Sequence, residues 1–289
     1  MTRAYPIVEF KPRTWEIDEF DCASVYVLEG SERALVIDAG IGIGDLRGAI
    51  EQLTDKPLTL VLTHGHGDHI GACCQFEACF LSERDWGCYE FPEDLARRRQ
   101  YAASIARRER GEHPDYPYDP ETDIVPWTGT PRRLPLVDGQ TFDLGGRMVT
   151  AMACPGHTPG QMMFLDEGSR TLFVGDALNC NLFMNSKPGE PNFVSIERAA
   201  KGLETMAALL DSGRIDAIYN GHHDFRPVGE PLDPDVLPDA LALCRQLLTG
   251  DFRPVWEKAP MPGWPDHLAI RRGRTTIGYS LEGIQEPKE

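Results

Sequence analysis

One run of residues restricts the fold of this chain more than any other feature of its sequence. Residues 58–63, Leu-Thr-Leu-Val-Leu-Thr, are apolar or β-branched without a break, which is typical of a strand buried on both faces. The run leads directly into His64, so the residues after it lie at the carboxyl end of a buried strand. A chain of 289 residues can bury such a strand in one large α/β domain or in two small ones.

Other segments predict strands and helices around this run. Residues 23–29 and 33–38 predict a hairpin that turns at Gly30-Ser31. A helix is predicted at 195–210, where Ser195 can cap the first turn, and a second helix is predicted at 238–249. Further strands are predicted at 147–153, 161–166, 171–174, 215–219 and 275–281.

Residues 84–132 differ from the rest of the chain, where short strands and helices are predicted. They hold an arginine-rich stretch at 96–110, which predicts a helix, and then a loop rich in Pro, Tyr and Asp at 113–131. We interpret the segment as an insertion over a functional site, because long loops in compact domains are usually functional or disordered. A solvated charged helix with a surface loop is an equal alternative. If Arg97–Arg99 face the cleft, they would pair with an acidic group of the substrate. Aromatic side chains that could line an apolar wall there are Trp86, Tyr101, Tyr116, Tyr118 and Trp127.

Net charge and composition indicate which classes of molecule this protein could bind. The formal net charge of -16 disfavours a broad surface for nucleic acid or a membrane, because both are polyanions. The N-terminus lacks the apolar stretch of an export signal, and no run approaches the length of a membrane-spanning helix. The eight cysteines form no CxxC pair, which indicates reduced thiols. We therefore expect a cytoplasmic protein acting on a small molecule, and the oligomeric state, including a homo-oligomer, stays open.

Metal-capable side chains follow four of the predicted strands. The segment His64-Gly65-His66-Gly67-Asp68-His69 places four of them within six residues. A lone histidine is more often structural than a ligand, but four such groups together reverse that expectation. The other three motifs, each weak alone, are the turn Pro155–Gly160 around His157, the pair Gly175-Asp176, and the run Gly221-His222-His223-Asp224. Because ligand sites in open α/β sheets gather at the carboxyl ends of strands, the four motifs together predict a metal-dependent enzyme.

This ordered series resembles the metallo-β-lactamase-fold superfamily. The likeness extends from Val36-Ile37-Asp38-Ala39-Gly40 through Thr63 and the His64–His69 segment to His157, Asp176 and His222. It implies an α/β fold of the αββα type, a four-layer sandwich of two mixed β-sheets flanked by helices. One domain would span residues 1–289, with the 84–132 insertion capping a two-metal site at one edge.

The resemblance also implies a role for each motif residue. His64, His66 and His157 would hold a first metal ion, Asp68, His69 and His222 a second, and Asp176 would bridge the two. Imidazole and carboxylate ligands suit zinc, and manganese or iron would also be accepted. Asp38 would support the ligand loop, and Asp68 would pass a proton to the leaving group. His223 would either support a ligand or lie in solvent.

The expected activity is hydrolysis. A metal-bridging hydroxide would cleave an ester, thioester or lactone, as in the glyoxalase II-like and lactonase-like branch. His66 stands where flavodiiron oxidoreductases have a glutamate, and Asp176 stands where lactamases with a thiolate ligand have a cysteine. Residues 177–181 lack the tyrosine typical of homoserine lactonases, and residues 225–289 do not match the glutathione-binding helices of glyoxalase II. The alternatives are an oxidoreductase similar to mononuclear-iron persulfide dioxygenases and a phosphodiesterase of the same fold.

Overall fold

The computed structural model describes residues 4–87, 93–110, 118–223, 226–258 and 266–287, and within these ranges the strands form three sheets. The N-terminal sheet runs in chain order and consists of β1 (Ile7–Lys11), β2 (Thr14–Asp18), β3 (Ser24–Glu29), β4 (Ala34–Ile37), β5 (Leu58–Val61), β6 (Ala78–Leu81) and β7 (Arg132–Pro135). Its first four strands pair antiparallel, and β4 to β7 pair parallel. The predicted hairpin and the predicted buried strand are both confirmed.

The later strands divide between two further sheets. They are β8 (Thr141–Asp143), β9 (Met148–Ala153), β10 (Met162–Asp166), β11 (Thr171–Gly175), β12 (Asn181–Met184), β13 (Ala217–Asn220), β14 (Val255–Glu257), β15 (His267–Arg272) and β16 (Thr275–Tyr279). The central sheet has the order β13-β11-β10-β9-β8, and the C-terminal sheet has the order β12-β16-β15-β14. Because β11 and β13 pair parallel, their carboxyl ends meet at one edge of the central sheet.

The helices are α1 (Leu46–Ile50), α2 (Gly67–Ile70), α3 (Leu95–Arg110), α4 (Pro120–Asp123), α5 (Ile196–Asp211) and α6 (Val236–Thr249). Short 3-10 turns lie at Cys73–Gln75, Glu83–Asp85 and Leu281–Gly283. The Ser195 hydroxyl accepts from the N–H of Arg198 at 3.0 Å, which confirms the predicted cap of α5. Gly250 ends α6 at φ +76°, a left-handed conformation that glycine adopts without the strain a side chain would bring.

Alternation along the strands sorts side chains into the layers of the sandwich. In β3, Tyr26 and Leu28 face a core shared with the central sheet, whereas Val25 and Val27 face the core that holds α1 and α3. In β10, the same alternation divides Met162 and Phe164, which face the N-terminal sheet, from Met163 and Leu165, which pack with α5 and α6. The two sheets therefore pack face to face between helices, and the expected αββα sandwich is confirmed.

The C-terminal sheet adds a third sheet to the two that were expected. Only its last strand was predicted, at 275–281. Ile277 and Tyr279 of β16 and Leu268 of β15 pack into the core that contains α5 and α6. The C-terminal sheet depends on pairing between residues that are distant in the sequence, because β12 pairs parallel with β16. In the described part of the chain, no helix has both the length and the apolar character needed to span a bilayer.

Seven of the eight cysteines lie within the described residues. The described cysteines form no disulfide with one another, and all except Cys74 are buried. They are Cys22, Cys73, Cys74, Cys79, Cys154, Cys180 and Cys244, while Cys88 lies outside the described residues. Burial raises the pKa of Cys154, three residues before His157, to about 12, which makes this thiol a poor nucleophile.

Candidate metal centre

All seven side chains implied as metal ligands lie together at one edge of the sandwich. The loop after β5 and helix α2 supply four of them, the β9–β10 loop supplies His157, the end of β11 supplies Asp176, and the end of β13 supplies His222. At this edge the two sheets touch directly, since the N–H of Met162 donates to the carbonyl of Thr63 at 2.8 Å. The metal-capable side chains thus come from strand ends of both sheets and lie together at this edge.

The histidines at the start of the cluster are held by groups behind them. Nδ1 of the buried His64 lies 3.0 Å from the hydroxyl of Thr63, so Nε2 faces the cluster. Nδ1 of His69 lies 3.0 Å from Oδ2 of Asp38, which again leaves Nε2 facing inward. Asp38 thus contacts the ligand loop as the resemblance implied.

His66 and His157 meet from opposite sheets. Nδ1 of His66 lies 2.8 Å from Nε2 of His157. On its other side, Nδ1 of His157 lies 3.2 Å from the carbonyl oxygen of Phe183 in β12, so this nitrogen can donate and Nε2 is left as an acceptor. The C-terminal sheet therefore orients a histidine of the cluster, a contribution that the sequence did not reveal.

The carboxylates lie between the remaining histidines. Oδ2 of Asp176 is 3.2 Å from Nε2 of His222 and 3.6 Å from Nε2 of His157. Its other oxygen, Oδ1, is 3.5 Å from Nε2 of His69. Asp68 approaches His222 at 3.7 Å and His69 at 3.8 Å. Asp176 thus stands between two groups of metal-capable side chains.

Three buried atoms in the cluster have no hydrogen-bond partner within the described residues. They are Nε2 of His64, Nε2 of His69 and Oδ1 of Asp176. A buried polar atom without a partner is costly, by roughly 1–3 kcal/mol each. Metal ions would offset this cost, and the cluster provides three overlapping groups that could hold one: His64 with His66 and His157, His64 with His69 and Asp176, and Asp68 with His69 and His222. The donor set and the unpartnered atoms together fit divalent cations.

The ionisation of the cluster is set by burial and by its own charges. Burial lowers the pKa of His64 well below its usual range, and burial together with His157 lowers the pKa of His66 to about 3. Burial acts to raise the pKa of Asp176, but His222 and His69 outweigh it and hold that pKa well below its ordinary value. Burial acts to lower the pKa of His222, but Asp176 raises it to about 9. Cation binding would therefore release protons from the cluster.

The arginine-rich segment also reaches the cluster, through a tyrosine. Tyr101 of α3 donates its hydroxyl to Oδ2 of Asp68 at 2.6 Å. One turn earlier, Arg98 is buried and donates to the carbonyl oxygens of Ile41, Gly71 and Val125. Arg98 therefore anchors α3 on the loops around the cluster, which is a different role from the substrate contact that the sequence suggested.

The other aromatic residues that were predicted to line an apolar wall lie in different environments. Tyr118 is buried and donates to the carbonyl of Ala102, so it belongs to the core. Trp127 packs on the same core, and the half-exposed Trp86 lies 5.4 Å from the guanidinium of Arg133. Tyr116 lies outside the described residues, as does Asp224 of the fourth motif.

His223 turns away from the cluster. Its Nδ1 lies 2.7 Å from Oδ1 of Asp21, and its Nε2 lies 3.7 Å from Oδ1 of Asp18. Among the described residues its ring contacts Asp18 and Asp21, which are not members of the cluster, and it is partly exposed between these two carboxylates.

Comparison with known proteins agrees with this geometry. A family model described as the metallo-beta-lactamase superfamily matches residues 20–73 and 82–222. The human protein named acyl-coenzyme A thioesterase MBLAC2 is 27% identical over 222 residues, which cover 69% of this chain and 72% of that protein. Hydroxyacylglutathione hydrolase GloC of Haemophilus influenzae is 28% identical over 159 residues, or 55% of this chain and 66% of that protein. A solved structure titled metallo-beta-lactamase from Pontibacter korlensis has 16% identity and a TM-score of 0.54 over 83% of this chain and 98% of that chain, which supports the fold.

Proposed function

The chain belongs to the metallo-beta-lactamase superfamily and is a metallo-hydrolase, and we propose that it hydrolyses a thioester of a small molecule at a centre of two divalent cations. The observation that carries this proposal is the convergence of five imidazoles and two carboxylates at one edge, three of whose buried atoms lack a partner among the described residues. A core packing role does not account for such a set, because polar atoms in a core are normally paired.

We assign the ligands by the groups that the geometry favours. His64, His66 and His157 hold the first ion, and Asp68, His69 and His222 hold the second. Asp176 bridges them, since its two oxygens face different histidines. Zinc suits this set of nitrogen and oxygen donors, and manganese or iron are the other metals to test.

The chemistry divides between the ions and the chain. When bound, two divalent cations supply Lewis acidity and lower the pKa of water from its bulk value toward ~7. Asp68 carries the proton to the leaving group, because its carboxylate lies near His69 and His222 and is partly open to solvent. Tyr101 orients Asp68 by donating to Oδ2, and this leaves Oδ1 free of the tyrosine.

The thioester is the preferred substrate class for two reasons. Two of the similar proteins carry names of thioester hydrolases, acyl-coenzyme A thioesterase and hydroxyacylglutathione hydrolase. The chain departs from homoserine lactonases because no tyrosine occurs at 177–181. Helix α3, which binds the loops around the cluster through Arg98 and contacts Asp68 through Tyr101, would cap the substrate.

A substrate and metal screen tests the proposal. The protein loaded with zinc, manganese or iron would be assayed with acyl thioesters, carboxylic esters, lactones and phosphodiesters, with metal content measured in parallel. We expect two ions per chain and the highest kcat/KM with a thioester. One iron per chain with oxygen uptake would instead support an oxidoreductase, and turnover of phosphodiesters alone would overturn the thioester assignment.

A matched pair of histidine variants tests the centre itself. His222→Ala removes a ligand of the second ion, whereas His223→Ala removes the neighbouring ring that faces Asp18 and Asp21. We expect the first variant to lose metal and activity and the second to keep two ions per chain. His66→Ala and Asp176→Ala should each lose metal and activity, and full turnover in either would make the ligand assignment wrong.

A further inference from the structure

We propose that Asp85 is a positioning residue, which holds the two loops that carry His64, His66 and His157 in register so that these side chains can share one ion. This inference rests on the metal centre proposed above. It concerns a residue that does not itself belong to any of the metal-capable groups among the described residues. Asp85 would therefore act on the ion through the loops it binds.

Asp85 lies at the carboxyl end of β6, in the 3-10 turn Glu83–Asp85. Because β5 and β6 are parallel neighbours, their carboxyl ends lie side by side. The loop that leaves β5 carries His64 and His66, so the turn after β6 stands next to it. The Asp85 side chain is fully buried at this point.

Both oxygens of Asp85 accept hydrogen bonds from the ligand loops. Oδ2 lies 3.2 Å from the N–H of Gly65, the residue between His64 and His66. The same oxygen accepts from the hydroxyl of Thr158 at 2.7 Å, and Thr158 directly follows His157. Oδ1 accepts from the N–H of Gly160 at 2.6 Å. The Asp85 carboxylate thus accepts hydrogen bonds from residues that are adjacent to all three histidines, either from a backbone N–H group or from a hydroxyl.

The two loops belong to different sheets. Gly65 leaves β5 of the N-terminal sheet, whereas Thr158 and Gly160 lie between β9 and β10 of the central sheet. The contact from Met162 to Thr63 joins the sheets beneath the loops, and Asp85 joins them at the level of the ligands. A shift of one loop against the other would move His157 relative to His64 and His66, and ligand geometry must hold within a few tenths of an ångström to bind a cation tightly.

The chemistry of this position favours a carboxylate. All three partners are donors, and an ionised carboxylate is an acceptor at both oxygens. An amide in its place would turn an NH2 group toward one of the donors. The close approach also depends on Gly160, because a Cβ there would lie 2.6 Å from Oδ1 of Asp85. Removing one partner of such a buried set leaves unsatisfied donors around it.

Three variants test the role. Asp85→Asn keeps the shape of the side chain and places a donor against a donor, whereas Thr158→Val removes only the hydroxyl. Asp166→Asn is the matched control: Asp166 is also fully buried and accepts from Arg147 and Ser169, but it does not belong to the metal-capable groups of the described residues. Zinc affinity would be measured by competition with a chelator, metal content by elemental analysis, and ligand geometry by the absorption spectrum of the cobalt-loaded protein.

We expect Asp85→Asn and Thr158→Val each to weaken the first ion about 10–100-fold, as loss of a group that orients metal ligands does, while the second ion is held as in the wild type. The cobalt spectrum should change for these variants and stay unchanged for Asp166→Asn. If Asp85→Asn does not fold, Thr158→Val still decides the matter, because valine matches threonine in shape.

Two results would overturn the inference in distinguishable ways. Zinc affinity and a cobalt spectrum like those of the wild type in Thr158→Val and Asp85→Asn would show that Asp85 does not position the ligands. Equal losses in Asp85→Asn and Asp166→Asn would show that a buried carboxylate acts only through general stability. A wild-type protein that holds no ion would instead show that the proposed metal centre is wrong. The role of Asp85, which rests on that centre, would then be wrong as well.

Discussion

Nδ1 of His69 lies 3.0 Å from Oδ2 of Asp38, and this contact leaves Nε2 of His69 facing the cluster of metal-capable side chains. Asp38 is fixed in turn by Thr63, whose N–H donates to Oδ1 at 2.7 Å and whose hydroxyl donates to Oδ2 at 2.8 Å. Since both side chains are buried, the ring of His69 has little freedom to turn. A carboxylate that accepts from a histidine in this way fixes its tautomer and makes the other nitrogen a better ligand.

The first prediction is that Asp38→Asn weakens the second ion about 10–100-fold, because an amide cannot accept from all three of these donors. Asparagine is the appropriate change, since Asp38 has φ +66° and asparagine tolerates this left-handed conformation better than most residues. Chelator competition with zinc measures the effect, and Asp166→Asn serves as the control for loss of a buried carboxylate. An affinity equal to that of the wild type would contradict the orienting role of Asp38.

The second prediction concerns the hydroxyl of Tyr101. Tyr101→Phe removes the hydrogen bond to Oδ2 of Asp68 and keeps the ring, so we expect kcat to fall roughly tenfold while metal content stays at two ions per chain. The magnitude follows from the worth of a hydrogen bond to a charged group, about 1.5–3 kcal/mol, of which a part reaches the transition state. Steady-state kinetics with the best thioester measures it.

Tyr118→Phe is the matched control for this experiment. Tyr118 is a buried tyrosine that follows the same helix; its hydroxyl donates to the carbonyl of Ala102 and lies 3.5 Å from Sγ of Cys22. It should lower stability and leave kcat near the wild-type value. Equal effects of the two substitutions on kcat would mean that Tyr101 acts only through packing.

The place of the metal-capable residues could be predicted from the sequence because each of them follows a strand with a clear local pattern. The apolar run 58–63 predicted where His64 would lie, and the short motifs at His157, Asp176 and His222 each end or follow a strand of the structure. Local patterns of this kind predict both that a strand forms and where it ends. The resemblance to a known family then supplied the pairing of the motifs.

Contacts between distant residues could not be predicted in this way. Phe183 orients His157 through a backbone carbonyl, which carries no signal in the sequence. The C-terminal sheet depends on pairing between β12 and β16, far apart in the chain, and β2, which carries the buried Glu16, was not predicted. The structure shows why a glutamate is tolerated there: its partner, Arg226, follows β13 of the central sheet and lies 210 residues later in the chain.

The third prediction is that Arg226→Met lowers the free energy of unfolding by about 3–5 kcal/mol, because it leaves the buried carboxylate of Glu16 without its charged partner. The two side chains are almost completely buried and lie 2.6 Å apart. Arg47→Met, in the exposed pair with Glu51, should cost less than about 1 kcal/mol. Urea unfolding of both variants measures the difference, and similar losses would show that burial of the pair does not matter.

This pair also gives a pH dependence of definite sign. Burial acts to raise the pKa of Glu16, but hydrogen bonds and the charge of Arg226 outweigh it and hold the pKa below the ordinary 4.5. The folded state therefore binds the proton less readily than the unfolded state. The contribution of Glu16 to stability is present above pH 4.5 and is lost as the pH falls through the lowered pKa. Unfolding of wild type and Glu16→Gln measured between neutral and acidic pH should converge toward the acidic end.

The fourth prediction separates two neighbouring arginines of α3. Arg98→Met should lower the free energy of unfolding by at least about 3 kcal/mol, because it leaves three backbone carbonyl oxygens, those of Ile41, Gly71 and Val125, without this donor. The exposed Arg97 is the suitable probe for an acidic group of the substrate, and Arg97→Ala should change stability by no more than about 0.5 kcal/mol. An increase in KM without loss of stability in Arg97→Ala would support recognition of such a group, and an unchanged KM would rule it out at this residue. Substituting the whole run Arg97–Arg99 would mix the two effects, because α3 would lose its anchor together with any contact to the substrate.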